Sequence, residues 1–161
     1  MFSGYQNRKG LKDILENKKI LKLIHDCRND WDSLLYQFSI RLYNFIDTQE
    51  AFFIYMIFYY QEITLPISLM NFIENILNIK LKHKEKFKND ININPNLWEK
   101  RPIDKVNLEY AAEDVLYLIK AWDELQEKFN LNMKEIVKIS LSFYFFSNYF
   151  VVIFYFYQIL S

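Results

Sequence analysis

Two short strand-like stretches lie among longer helical ones in this sequence. ILKLIH (20–25) and YNFIDT (43–48) are apolar runs with polar residues at their ends, which is typical of short buried strands. The surrounding segments have helical spacing of their apolar residues, namely 10–17, 30–40, 48–60, 67–77 and about 106–129. This order predicts a helix-rich α/β fold. Because two strands cannot form a stable sheet alone, we expect that strands are missing and that a protein partner could cover the open sheet edge.

The charge balance and cysteine content limit the class of protein. The 161 residues include twenty basic and twenty acidic side chains, so no overall charge attracts the chain to nucleic acid or anionic membrane. Cys27 is the only cysteine, which excludes an internal disulfide and indicates a structural residue in a reducing compartment. The polar start, MFSGYQNRKG, lacks the apolar region of a secretory signal. We therefore expect an intracellular protein of the nucleus or cytoplasm.

The C-terminal run from Ile139 to Ser161 carries no charged residue. Its length would permit a membrane span. However, it contains five Ser, Asn or Gln residues before its last position, and its aromatic and β-branched residues are as typical of strands as of helices. A buried segment, or a tail that does not continue the domain naturally, is the favoured interpretation. If it were exposed to water, the run would promote aggregation.

The stretch LEYAAEDVLYLIKAW (108–122) predicts an amphipathic helix with a possible site beside its buried stripe. The expected buried stripe consists of Leu108, Ala111, Val115, Leu118, Trp122 and Leu125. Tyr110 and Asp114 are spaced i, i+4, so their side chains point to the same side of the helix. A carboxylate there can hold a divalent metal, and a phenol one turn away can position or deprotonate a water. On spacing alone, an ordinary helix face with a packed tyrosine is the simpler interpretation.

A second acidic stretch, IHDCRNDWDSLL (24–35), leaves the first predicted strand, crosses a polar loop and enters a helix. It contains Asp26, Asp30 and Asp32. Loops at strand ends often present carboxylates to ligands. Taken alone, an acidic helix start indicates only N-capping and complementarity to the helix dipole.

Together the two stretches resemble the 3′–5′ exonucleases of the RNase D and Werner type, which belong to the DEDD superfamily with an RNase H-like fold. The second motif of that family, HDxRxD followed by xxLL, stands here as IHDCRNDWDSLL. The third, W…RPL…YAAxDVxYL, stands as WEKRPIDKVNLEYAAEDVLYLIKAW, and DTQ (47–49) also matches. The resemblance covers about residues 9–140 and implies a partial exonuclease domain there, which lacks its first strands and is followed by an apolar tail at 141–161.

The resemblance also implies roles for individual residues. Asp30 and Asp114 match metal-binding aspartates, and Tyr110 matches the tyrosine that orients or activates the attacking water. The implied chemistry is hydrolysis at RNA or DNA 3′ ends with two Mg²⁺ or Mn²⁺ ions. His25 matches a position near the second motif, although a histidine at a strand end is commonly a hydrogen-bonded structural residue. Arg101 matches the RP step, where it is expected to anchor the loop.

The sequence departs from the family at its first motif. No Asp-x-Glu occurs upstream of Asp30, and DILE (13–16) has the wrong spacing and lies in a predicted helix. Only half of the expected metal ligands are therefore present. The leading hypothesis is an exonuclease-family protein whose hydrolysis is impaired in this chain. The alternatives are a non-catalytic module that binds nucleic acid or protein, and, more remotely, a membrane-anchored remnant that uses residues 139–161.

A lysine-rich stretch, KLKHKEKFKND (80–90), is a candidate contact for a phosphate backbone. The candidate contacts are Lys82, Lys84 and Lys86, together with His25 and Arg101. A run of like charges is more commonly a solvated face. Trp98, which precedes Arg101, is expected to pack rather than to stack on a base.

Overall fold

A computed structural model describes residues 5–80 and 98–129 of the chain. The described residues divide into two compact units, with the boundary between Ile63 and Thr64. Within these ranges, no helix combines the length and apolar character that a membrane span requires. Several predicted features lie outside the described residues, namely Lys82, Lys84, Lys86, the domain boundary at 140 and the apolar run 139–161.

The first unit contains a parallel two-stranded sheet and its helices. The elements are α1 (Tyr5–Leu15), β1 (Lys22–Ile24), α2 (Arg28–Asp32), a π-helical turn (Ser33–Gln37), β2 (Phe45–Asp47) and α3 (Thr48–Tyr60). β1 pairs with β2 in the register Lys22–Phe45, Leu23–Ile46 and Ile24–Asp47. This order confirms the predicted alternation of helices and short strands. Because the strands are parallel, the turns that follow Ile24 and Asp47 lie at the same edge of the sheet.

Burial in the first unit differs from the prediction in two places. β2 is fully buried, whereas all three residues of β1 are only half-buried, so the predicted buried strand at 20–25 is shorter and more accessible than expected. In α3 the residues from Thr48 to Ile54 are buried, but Tyr59 and Tyr60 are exposed. α3 is apolar on all sides, so its sequence could not indicate which end lies in the core.

The segment predicted as one helical stretch at 30–40 is not a regular helix. α2 has only five residues, and the π-helical turn follows it directly. Ser39 then adopts a positive φ of 51°, which ends the helical path. Apolar spacing reports which side chains face the core, but it does not distinguish an α-helical turn from a wider one.

The second unit is built on α4 (Leu69–Leu77) and α5 (Lys105–Lys128). The Ser68 hydroxyl caps α4 by accepting from the Asn71 N–H at 3.2 Å, so the helix begins at Leu69 rather than directly after Pro66. α4 packs against α5, and Lys128 Nζ donates to the Ile76 carbonyl at 2.8 Å. The buried apolar side chains are Phe72, Ile73 and Ile76 of α4, Ala121, Trp122 and Leu125 of α5, and Phe129.

The predicted buried stripe along all of α5 is wrong for the first half of the helix. Trp122 and Leu125 are buried as expected, but Leu108 and Val115 are more than half exposed. The nine residues of α4 extend ~14 Å, whereas the 24 residues of α5 extend ~36 Å. Among the described residues of this unit, α4 is the helix that packs on α5, and it covers only one end of the stripe.

Candidate active site

Asp47 ties together the two turns at the carboxyl edge of the sheet. Its Oδ1 accepts from the backbone N–H of Asp26 at 2.9 Å and from that of Gln49 at 2.9 Å. Its Oδ2 accepts from the N–H of Cys27 at 2.8 Å. The residue is only 3% exposed, so these backbone donors depend on the carboxylate rather than on water. Asp47 therefore joins the turn after β1 to the start of α3.

Asp26 is paired with Arg28 within the protein. It has a φ of 57°, in the left-handed region that is uncommon for aspartate. Arg28 donates to its carboxylate from both Nε and Nη2, with the Nη2 bond at 2.7 Å. This fork of charge-assisted hydrogen bonds holds the pKa of Asp26 below its ordinary value, although burial opposes the shift.

His25 takes part in a hydrogen-bond chain between the ends of the two strands. Its Nδ1 lies 2.9 Å from the Thr48 hydroxyl, and that hydroxyl donates to the Ile24 carbonyl at 3.2 Å. Because threonine has a single hydroxyl hydrogen, Nδ1 of His25 must be the donor to Thr48. The structural role expected of a strand-end histidine is thus present, and its contact with nucleic acid stays a prediction.

Asp30 lies in the first turn of α2, on the exposed side of the helix. Its side chain makes no hydrogen bond or ion pair with other groups in the described part of the chain. The carboxylate is accessible to a ligand, and the backbone of α2 sets the direction of its Cα–Cβ bond. The metal-binding role that the family motif implies for it stays a prediction.

Two buried groups near Asp47 have altered acidity. Burial raises the pKa of Glu50 to about 7, the charge of Asp47 adds to this effect, and Arg28 opposes it. Glu50 is 5% exposed. Burial also raises the pKa of the Cys27 thiol far above its ordinary value, so the thiol stays protonated and unreactive. This environment agrees with the structural role expected for Cys27.

Replacing Glu50 by glutamine should remove a pH dependence of stability. In the folded chain Glu50 keeps a proton up to pH ~7, whereas the unfolded chain loses it near the ordinary value of 4.5. The folded state therefore binds more protons in this window, and the free energy of unfolding falls as the pH rises from 4.5 towards about 7. At pH ~8 we expect E50Q to be more stable than the unmodified chain by about 2 kcal/mol.

Urea unfolding at acidic and alkaline pH would measure this difference, which should vanish below the ordinary pKa. Glu62→Gln is the matched control, because Glu62 is exposed just beyond the end of the same helix. An E50Q chain that is no more stable than E62Q at pH ~8 would contradict the assignment of Glu50 as a buried proton-binding group.

In the second unit, Tyr110 and Asp114 lie one turn apart on α5, as the sequence predicts, and both are half-buried. Burial raises the pKa of Tyr110, so its hydroxyl is protonated at neutral pH and can donate a hydrogen bond. The ring of Trp98 lies against that of Tyr110, with 6.5 Å between centroids and 51° between planes. Trp98 thus has the packing role expected for it.

Arg101 supports the loop that leads into α5. Its Nη1 donates to the carbonyls of Trp98 at 2.7 Å and Lys100 at 2.9 Å, and Lys100 pairs with Asp104 at 2.9 Å. This is the anchoring role predicted for Arg101. The side chain is also exposed, and its contact with nucleic acid stays a prediction.

The described residues show no clustered set of metal ligands. Within residues 5–80 and 98–129, no three His, Cys, Asp or Glu side chains are grouped so that they could hold a metal ion. Asp30 belongs to the first unit, and Tyr110 and Asp114 belong to the second. The acids at the ends of the two strands are already paired within the protein. Asp26 accepts from Arg28, and Asp47 accepts from the backbone N–H of Asp26.

The sequence alone does not predict the roles of two residues in this region. It indicates Asp47 only through the DTQ match, and no pattern in it marks Glu50. An acid that ends a strand and precedes a helix is a recognisable N-cap signal. The donors from Asp26 and Cys27 are 21 and 20 residues away, and no local pattern indicates them.

Comparison with known proteins gives consistent matches. A family model described as 3′–5′ exonuclease matches residues 3–130. Human piRNA biogenesis protein EXD1 is 34% identical over 120 residues, which cover 68% of this chain and 22% of that protein. Ribonuclease D of Haemophilus influenzae is 27% identical over 115 residues, which cover 71% of this chain and 25% of that enzyme. The chain thus spans about a quarter or less of the curated relatives that it matches.

Solved structures of the EXD2 exonuclease domain are also similar to the chain. One, soaked in Mn and GMP, has 21% identity and a TM-score of 0.29, and the match covers 73% of this chain and 54% of that domain. Another has 21% identity and a TM-score of 0.28, with 76% and 59% covered.

Proposed function

Because this chain belongs to the 3′–5′ exonuclease family, we propose that it acts on the 3′ ends of nucleic acid and that the 161-residue chain alone hydrolyses them weakly or not at all. The observation that carries the proposal is the family match over residues 3–130, which includes Asp30, Tyr110 and Asp114. Family membership confirms the RNase H-like exonuclease fold predicted from the two motifs.

The chemistry of the family explains why hydrolysis should be impaired. Two hard divalent ions in one site need several carboxylate oxygens to hold them and to offset their charge. This sequence offers Asp30 and Asp114, and it has no Asp-x-Glu upstream of Asp30. The residues present do not fit a pair of Mg²⁺ or Mn²⁺ ions, so we propose no hydrolytic step through one. The protonated Tyr110 hydroxyl could still hold a water or a phosphate oxygen beside Asp114.

We expect the purified chain to leave single-stranded oligonucleotides intact. A 5′-labelled RNA and the DNA of the same sequence would be incubated with Mn²⁺ or Mg²⁺ and resolved on a denaturing gel, with a working 3′–5′ exonuclease as the positive control. Asp114→Asn and its exposed neighbour on the same helix, Asp123→Asn, form a matched pair. A ladder shortened from the 3′ end that D114N abolishes and D123N preserves would overturn the proposal of impaired hydrolysis.

A non-catalytic binding module is the second candidate. It is favoured by the way the acids at the sheet edge are used, because Asp26 pairs with Arg28 and Asp47 accepts from three backbone N–H groups. Calorimetric titration with Mn²⁺ separates the candidates. Tight two-site binding that D114N removes would favour a hydrolase. Absence of metal binding in a chain that retains oligonucleotide would favour the module.

We further propose that the nucleic acid is RNA. Relatives of the chain are named as a piRNA biogenesis protein and a ribonuclease, and this supports RNA over DNA. Fluorescence anisotropy with a labelled RNA, competed by unlabelled RNA or by DNA of identical sequence, tests the preference at fixed salt. We expect RNA to compete at several-fold lower concentration, and equal competition would contradict this proposal.

A further inference from the structure

Asp47 holds the start of α2 as well as the start of α3. Cys27, the residue before α2, has no side chain that caps the helix. Its backbone N–H is instead bound by Asp47 Oδ2 at 2.8 Å, and its carbonyl accepts from the Trp31 N–H at 2.7 Å. The peptide group from which α2 begins is therefore attached to the end of β2 by a buried carboxylate.

The turn before α2 needs such support because its backbone is unfavourable. Asp26 lies in the left-handed region, which is strained for residues with a Cβ. Asp47 Oδ1 holds the N–H of this residue, while Arg28 holds its carboxylate. Two independent contacts thus maintain the direction in which the chain leaves β1.

The direction of Asp30 depends on this support. Asp30 is the third residue after Cys27, and within the described residues no side-chain contact orients its carboxylate. The ring centroids of Trp31 in α2 and Phe45 in β2 are 5.6 Å apart, so α2 packs against the strand that ends at Asp47. The position of Asp30 is therefore a consequence of how α2 is attached to β2.

We propose that Asp47 is a positioning residue whose carboxylate fixes the turn at 25–27 and thereby sets how Asp30 is presented to a bound RNA 3′ end. The inference rests on the proposed function, since Asp30 lies within the family match that carries it. Asparagine at position 47 would keep one acceptor oxygen and replace the other by an amide group that cannot accept. It would therefore lose either the bond to Cys27 or the bonds to Asp26 and Gln49.

The first test uses a chain with Asp47 intact. Amide hydrogen exchange would be followed by NMR at constant neutral pH. We expect the amides of Asp26 and Cys27, which donate to Asp47, to be protected from exchange as that of Gln49 is. Rapid exchange at residues 26 and 27 beside a protected Gln49 amide would overturn the inference, whether or not variants of Asp47 fold.

The second test is a double-mutant cycle on RNA binding. Dissociation constants for an RNA with a free 3′ hydroxyl would be measured for D30N, D47N and the double variant, with Asp32→Asn, also exposed on α2, as the control. Circular dichroism would establish the temperature at which each chain is folded. We expect D30N and D47N to change the dissociation constant by a similar factor of about three or more. The double variant should have the same dissociation constant as D30N.

The outcomes distinguish a failure of the positioning role of Asp47 from a failure of the proposed function. Unchanged binding in D47N, or additive changes in the double variant, would show that Asp47 is only structural and would overturn the inference while leaving the role of Asp30 intact. Unchanged binding in D30N, or no RNA binding by the unmodified chain, would instead overturn the proposed function and the inference with it.

Discussion

Replacing Asp47 by alanine is expected to lower the free energy of unfolding by about 3–5 kcal/mol. The substitution removes one buried carboxylate that accepts from the N–H groups of Asp26, Cys27 and Gln49. A buried donor left without an acceptor costs ~1–3 kcal/mol, and the cavity left by the side chain admits water that offsets part of the sum. Urea unfolding at neutral pH, followed by circular dichroism, would measure the loss.

Asp32→Ala is the control for this experiment. Asp32 is exposed, lies on the neighbouring helix α2, and its side chain does not cap the π-helical turn that follows it. The expected change in D32A is within about 0.5 kcal/mol. A loss in D47A no larger than that in D32A would mean that the three backbone groups find other partners, and the joining role of Asp47 would then be rejected.

The second large effect is expected in the second unit. There the same substitution, leucine to alanine, should lower the free energy of unfolding by very different amounts at two positions of α5. Leu125 is 0% exposed and Leu116 is 52% exposed. Leu125→Ala should reduce stability by about 2–5 kcal/mol, because it removes buried methyl groups and leaves a cavity against α4. Leu116→Ala should change it by less than about 1 kcal/mol, since the side chain is already in contact with water.

This pair is closely matched, because both changes replace leucine by alanine inside one helix and helix propensity contributes equally to both. The difference between the two variants therefore reports packing alone. Unfolding by urea, monitored by circular dichroism, would measure it. Equal losses in L116A and L125A would contradict the packing of α4 on only one end of α5.

The elements that the sequence predicted well are those decided by local pattern. β2 and α3 occupy Phe45–Asp47 and Thr48–Tyr60, within or at the predicted bounds, because a polar Asp-Thr step separates two apolar runs. The placement of Tyr110 and Asp114 on one side of α5 follows from the 3.6-residue period of the helix. Asp30 at the start of a helix after a strand was likewise readable from the polar residues around it.

What the sequence determined by itself is therefore the order of the elements, the family motifs, and the absence of Asp-x-Glu before Asp30, since each of these is a property of neighbouring residues. Only the tertiary structure decided how Asp47 is used, because two of its three donors come from a turn about 20 residues earlier in the chain, and it likewise decided that Glu50 is buried. It also decided which half of the apolar stripe on α5 is buried, since that depends on the length and position of α4. The local sequence pattern limits the roles that a residue can have, and packing between distant segments determines which of those roles it has.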